Sequence, residues 1–253
     1  MIHGFLKACT VSPALRVADC AFNTQQTIAA MQRAAADGVQ LAVFPELGLT
    51  GYTCGDLFFQ QPLQRAAARG LTAVLEASAD LDLVALVGLP VTVDGKLYNC
   101  AAVVCHGKLL GLVPKTYLPN YGEFYERRQF NPAPAGVRTL HFAGQEVLFG
   151  TKLLFRCAEM PEFCLGVEVC EDLWAPLPPS THHALAGATV IANLSASDEN
   201  IGKADYRRAL VSQQSARLLC AYLYADAGHG ESTTDMVFAA HDLICENGTL
   251  LSE

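Results

Sequence analysis

"FCLGVEVCEDLWAPLPPS", residues 163–180, decides how the rest of the chain is read. An apolar run of strand length climbs to Cys170, and two carboxylates, Glu171 and Asp172, follow at once. The same layout occurs twice upstream. "LAVFPE" (41–46) leaves Glu46 just past a short apolar run, and "LLGLVPK" (109–115) leaves Lys115 directly after Pro114. A thiol reacts as its thiolate, and neighbouring negative charge opposes that ionisation. Cys170 is therefore either an inert core residue or a nucleophile whose positive partner comes from elsewhere in the chain.

Working outward, the composition fits these buried runs. The 253 residues are 51% hydrophobic and only 17% charged, which points to sheets covered on both faces, whose strands read as continuous apolar runs. No run approaches the roughly 18–20 apolar residues of a membrane span, and "MIHGFLKACTVSP" lacks the long apolar stretch of a signal peptide. A soluble, cytoplasmic protein is expected. The net charge of −8, with no basic stripe, argues against nucleic acid as a partner. The ten cysteines show no C-x-x-C spacing and no Cys/His zinc pattern, so most are read as reduced core residues.

Periodicity gives a strand at "GFLKACTV", then a helix from near Asp19 that stops at Gly38. After "LAVFPE" come a second helix over roughly 60–79 and a strand at 83–91. "VDGK" (93–96) and "CHGK" (105–108) read as hairpin turns between strands. In the second half "FCLGVEV" is a strand, "LPPSTHHALA" a loop entering a helix, and "GATVIANLSAS" a strand. A helix over 203–219, a strand at "AYLYADAG", and a hairpin in "MVFAAHDLICENGTLLSE" turning at Asn247-Gly248 follow. Strand–helix–strand units mixed with hairpins predict an α/β protein with mixed sheets. Two halves packed sheet to sheet would make a four-layer α-β-β-α sandwich. No linker marks a second domain, so residues 1–253 are read as one. Glu253 directly follows a hairpin strand, and a piece of something longer is expected.

Glu46, Lys115 and Cys170 share an address just past the C-terminal end of a strand, where α/β sheets bind ligands. Separately, each has a plain structural reading: solvated loop acid, surface lysine, core thiol. Together they form a chemically complete set of base, cation and nucleophile.

"FPELGLTGY", "PKTYLPNYGEFYE" and "GVEVCEDLW" resemble, in order, the three catalytic motifs of the nitrilase (carbon–nitrogen hydrolase) superfamily. Their flanks, "GYTCGDLF", "YLPNYGEFYERRQF" and "CEDLWAPLPPS", are similar to the glutaminase domain of glutamine-dependent NAD+ synthetases. The resemblance implies the α-β-β-α nitrilase fold, with Glu46 as general base, Lys115 as oxyanion-stabilising cation and Cys170 as nucleophile. It implies that Glu123 is a second glutamate positioning the lysine and substrate. It places Tyr121, Phe124, Glu171 and Ser197 where such domains contact L-glutamine, with Glu171 a partner for its ammonium. Lys203 stands where some relatives carry arginine, which leaves a carboxylate clamp there open.

The implied chemistry is hydrolysis of the glutamine amide through a thioester, which requires no metal and no cofactor in this domain. His182-His183 is the only histidine cluster, and adjacent helix residues point in different directions, a poor chelate. No G-x-G-x-x-G or phosphate loop is present, and "GQEVLFGTK" (144–152) has the wrong spacing for one. The "SGGxDS" motif of an ATP-dependent synthetase is absent as well. ATP and Mg2+ would belong to a synthetase domain following Glu253 or carried on another polypeptide, and the family implies a homo-oligomer. Two other readings remain: a stand-alone amidase acting on another small amide, and a non-catalytic assembly module. The acids beside Cys170 further imply a thiol kept protonated until Glu46 takes its proton.

Overall fold

The computed structural model describes residues 4–253, so Met1–His3, the start of the stretch read for a leader, lie outside the described residues. The first helix, α1 (Cys20–Ala36), begins where its sequence dictates. Asp19 accepts a hydrogen bond from the Phe22 N–H at 3.0 Å, filling one of the donors a helix start leaves open. Gly38, at φ 75°, follows its end. Helix α2 (Gln61–Ala77) opens with Pro62 in its first turn, where a missing N–H is harmless, and buries Leu63, Ala67, Leu71, Val74 and Leu75. These helices are crossovers joining three parallel strands: β1 (Ala8–Thr10), β2 (Leu41–Val43) and β3 (Val84–Val93).

Strand β3 turns into β4 (Lys96–Cys105) through Asp94-Gly95, and β4 into β5 (Lys108–Pro114) through His106-Gly107. Both residues of each pair have positive φ, the type I′ geometry whose twist suits a hairpin. A further hairpin, β6 (Arg138–Phe142) and β7 (Gln145–Phe149), was not legible in the sequence. Its turn is Ala143-Gly144, and alanine at φ 50° gives none of the Asn-Gly signal that betrays such turns. Among the described residues the first sheet thus has seven strands, in the order β1-β2-β3-β4-β5-β7-β6.

The second sheet repeats the plan. A short strand β8 (Leu154–Cys157) pairs antiparallel with β9 (Met160–Val169), which starts three residues earlier than its apolar run, at Met160 opposite Cys157, with Pro161 and Glu162 exposed. Beyond Cys170 come α3 (Glu171–Trp174) and α4 (Pro179–Leu185), leading into β10 (Val190–Leu194), parallel to β9. Helix α5 (Lys203–Leu218) crosses over to β11 (Ala221–Ala225), also parallel. The final hairpin, β12 (Leu243–Glu246) and β13 (Thr249–Ser252), turns at Asn247-Gly248 as predicted. It is shorter than read: Asp242 turns inward to accept bonds from Ser12 and the Asp226 N–H, so residues 236–242 form no strand. The order is β13-β12-β11-β10-β9-β8.

Alternate residues on each central strand enter different cores. Leu41, Val43, Leu86, Val103 and Val113 meet Leu165, Val167, Val169, Ala192, Leu194 and Leu223 between the sheets. Ala42, Ala85 and Val87 face Met31, Leu71 and Val74 of α1 and α2, whereas Ile191 and Tyr222 pack with Val211 of α5. Both faces of both sheets are covered, which gives the four α-β-β-α layers and explains the unbroken apolar runs.

Candidate active site

The parallel strands of both sheets bring their carboxyl ends to one side, and there the three sequence-predicted residues converge. Glu46 and Lys115 are each 1% exposed and Cys170 is 5% exposed. Each main chain is pinned. The Glu46 N–H donates to Ser195 O of the opposite sheet at 3.1 Å, and the Lys115 N–H donates to Asn99 O at 2.8 Å. The turn carrying Glu46 presses on β3 so closely that a Cβ on Gly88 would lie 2.3 Å from Leu47 N. Cys170 sits at φ 45°, ψ −100°, a conformation a non-glycine residue holds only when its surroundings impose it. Asn193 supplies part of that constraint: its Oδ1 accepts the Cys170 N–H at 2.9 Å and its Nδ2 donates to Cys170 O at 3.4 Å.

Lys115 Nζ lies 2.6 Å from Glu46 Oε1 and 2.9 Å from Glu126 Oε2. Asn99, also buried, donates its amide to both carboxylates. The second glutamate at the lysine is therefore Glu126 and not Glu123, which the family resemblance had indicated. Residues 119–126 fold back on themselves, with the Phe124 N–H on Tyr121 O and the Glu126 N–H on Pro119 O. That fold turns residue 126 inward and leaves Glu123 half-buried with its carboxyl against Asp198. Two glutamates three positions apart in one polar loop look alike in sequence, and only this backbone path separates them.

The electrostatics follow from burial. Desolvation, reinforced by Glu46 and opposed by Lys115, pushes the Glu126 carboxyl up to about 8. Lys115 goes well above its usual range, because Glu126 and Glu46 outweigh the desolvation that works against its charge. Cys170 is raised well above the ordinary thiol value, first by burial and then by Glu46, with Lys115 and the Ala196 N–H pulling the other way. The adjacent Glu171 contributes less than any of these. The free site thus holds a protonated thiol, as the acid-flanked sequence implied, although burial is the main reason. Glu46 Oε2 is buried with no hydrogen-bond partner among the described residues and is free to accept a proton. Tyr52, to which the sequence reading gave no role, faces the same centre: Glu126, Glu46 and Cys170 add to burial in raising its hydroxyl.

Outside this trio lies a polar and aromatic pocket. The Tyr121 hydroxyl donates to Glu171 at 2.9 Å, and its ring packs edge-on to Phe124 with centroids 6.0 Å apart. Lys203, ion-paired with Asp198, sits 5.7 Å from the Phe124 ring and 5.3 Å from the Trp174 ring. Ser197 is buried beside them, its N–H on Asp226 and its hydroxyl accepting from Arg207. A cavity of about 400 Å³ lined by Tyr121, Arg127, Glu171 and Trp174 opens next to it. Of the predicted residues, Phe124 and Glu171 lie near Lys203 and Tyr121 touches both of them, whereas Ser197 turns its hydroxyl to Arg207. His183 is buried with Nε2 on Thr151 O at 2.8 Å, and His182 points out to solvent.

Comparison with known proteins gives a consistent picture. The sequence model of the carbon–nitrogen hydrolase family matches residues 8–233. The chain is 46% identical over 251 residues to a glutamine-dependent NAD(+) synthetase of Mycobacterium tuberculosis (strain H37Rv), covering 99% of this chain and 37% of that protein. A synthetase of the same description from Thermotoga maritima is 32% identical, over 88% of this chain and 35% of its own length. The chain therefore spans little more than a third of these relatives. Among solved structures, a glutamine-dependent NAD(+) synthetase from Cytophaga hutchinsonii superposes with a TM-score of 0.85 at 29% identity, over 95% of this chain and 39% of that one. An amidase of the nitrilase superfamily from Nesterenkonia shares the fold, with a TM-score of 0.76 at 19% identity, over 98% of this chain and 86% of that one.

Proposed function

The chain belongs to the carbon–nitrogen hydrolase family, and from that premise we propose that it hydrolyses the side-chain amide of L-glutamine to glutamate and ammonia. The observation that carries the reading is the buried Glu46–Lys115–Cys170 centre, with Glu171 and the Asp198-paired Lys203 beside it. Glutamine brings an α-ammonium and an α-carboxylate, and those two side chains offer a partner to each. Lys203 takes the carboxylate from between the Phe124 and Trp174 rings, and Tyr121 steadies Glu171.

In the first step Glu46 Oε2, the unpartnered oxygen, takes the Cys170 proton as sulfur attacks the amide carbon. An ammonium has three donors, and those of Lys115 engaged by Glu46 and Glu126 leave one for the developing oxyanion. The Glu171 N–H is the second donor, since it opens α3, where a helix leaves its backbone N–H groups unpaired. Glu46 returns the proton to the departing ammonia, leaving a thioester on Cys170. Water activated by Glu46 then releases glutamate and restores the thiol. Glu126 holds Lys115 in place, the role the resemblance had given Glu123.

The ammonia serves NAD+ synthesis from its deamidated precursor, in a synthetase domain on the same polypeptide or another one. The names of the relatives support this destination. The test uses the 253-residue chain with L-glutamine, L-asparagine and simple ω-amides, following ammonia release and intact protein mass. Glutamine-selective release and a glutamyl adduct, both abolished in Cys170→Ala, are expected. Turnover confined to other amides would overturn the substrate in favour of a stand-alone amidase.

A further inference from the structure

Asp172 lies two residues beyond the nucleophile and is 1% exposed. Its carboxylate does not face the thiol chemistry described above; it is occupied by backbone. Oδ1 accepts the Tyr117 N–H at 2.8 Å and the Thr116 N–H at 3.0 Å, and Oδ2 accepts the Val169 N–H at 3.0 Å. Thr116 and Tyr117 directly follow Lys115, and Val169 directly precedes Cys170.

Resting on the glutamine-hydrolysing reading, we propose that Asp172 is a positioning residue that fixes the Lys115 segment to the Cys170 turn. The two oxyanion donors of that mechanism arrive from different sheets, Lys115 at the end of β5 and the Glu171 N–H just beyond β9. Between the sheets the packing is apolar, through Val103, Val113, Leu165 and Val167. Such contacts are non-directional and set a spacing more firmly than a lateral register. A single carboxylate bonded to both segments adds direction where Lys115 meets the nucleophile turn, as the Glu46 N–H on Ser195 O does for the base, because each N–H···O bond weakens steeply when bent. The register matters for chemistry: a misplacement of about 1 Å between reacting groups costs on the order of 100-fold in rate. Asp172 thus acts through Lys115 and the nucleophile turn without touching substrate.

The test compares two labels on Cys170. A glutamine-like chloroketone reacts through a tetrahedral adduct that needs both oxyanion donors. Methyl methanethiosulfonate exchanges at sulfur and needs neither. The ratio of their rates cancels the folded fraction and the accessibility of the thiol. In Asp172→Asn the amide can keep Thr116 and Tyr117 on its oxygen but turns an N–H2 toward the Val169 N–H. The ratio should fall about 10-fold or more, with kcat for ammonia release falling in parallel and KM changing less than about 3-fold. An unchanged ratio in folded Asp172→Asn overturns the proposal while leaving the functional reading intact. If the asparagine variant does not fold, Asp172→Glu keeps the carboxyl group on a side chain one methylene longer. A lowered ratio there supports the proposal and a wild-type ratio overturns it. Wild-type chain that is never labelled by the chloroketone overturns the glutamine reading itself, and this proposal with it.

Discussion

At the residue scale the centre is defined by how few charges are placed around one thiol. Lys115 faces two carboxylates, and Asn99 bridges the same pair, donating to Glu46 and to Glu126. Hydrogen bonds to charged groups contribute about 1.5–3 kcal/mol, so removing this one should move Glu46 relative to sulfur. Asn99→Ala is expected to lower kcat about 10- to 100-fold with little change in KM, because Asn99 does not reach the Glu171–Lys203 pocket. Steady-state ammonia release decides the matter, and a change in KM alone would contradict it. The three central residues were readable because each closes an apolar run with a polar side chain. Glu126, Asn99 and Tyr52 were not. Asn99 sits inside a buried strand, where sequence offers no sign that an amide points at a carboxylate. Glu126 competes with Glu123 in the same loop.

At the element scale, the decisive feature is that strands end where the chemistry starts. The Pro45–Leu47 turn leaves β2 and packs directly on β3 at Gly88, where an added Cβ would fall 2.6 Å from Pro45 O and 2.9 Å from Glu46 C. Backbone cannot yield as a flexible side chain does. Gly88→Ala should therefore destabilise the chain by about 1–3 kcal/mol, the range of an overpacked core, and displace Glu46 as well. Denaturant unfolding would show the loss, and kcat of the still-folded variant should drop; wild-type values of both would rule out this contact. Helix α1 and the Asp94-Gly95 and Asn247-Gly248 turns were predictable from local chemistry, since a capping Asp and positive-φ pairs carry their own signals. The β6–β7 hairpin was hidden by an alanine at a position that usually selects glycine or asparagine.

Across the whole molecule, the buried acids tie stability to pH. Burial raises Glu126 to about 8, Asp226 to about 7 and Asp242 to about 6. In the unfolded chain the same groups ionise near 4. Between about pH 4 and 8 the folded state therefore binds more protons than the unfolded state, and stability falls as pH rises. Tm should be higher at pH 5.5 than at pH 8.5 in a buffered thermal scan, and the reverse order would show that these carboxyls are ionised in the fold. The sequence by itself determined the α/β class, most of the strands and helices, and the three residues at the strand ends. Those depend on periodicity, caps and turn chemistry, which act over a few neighbouring positions. Tertiary structure alone decided that Glu126 rather than Glu123 meets Lys115, that Asn99 bridges the two acids, and that Asp172 binds backbone from both sheets. These contacts join positions up to 56 residues apart, and their geometry exists only once both sheets have packed.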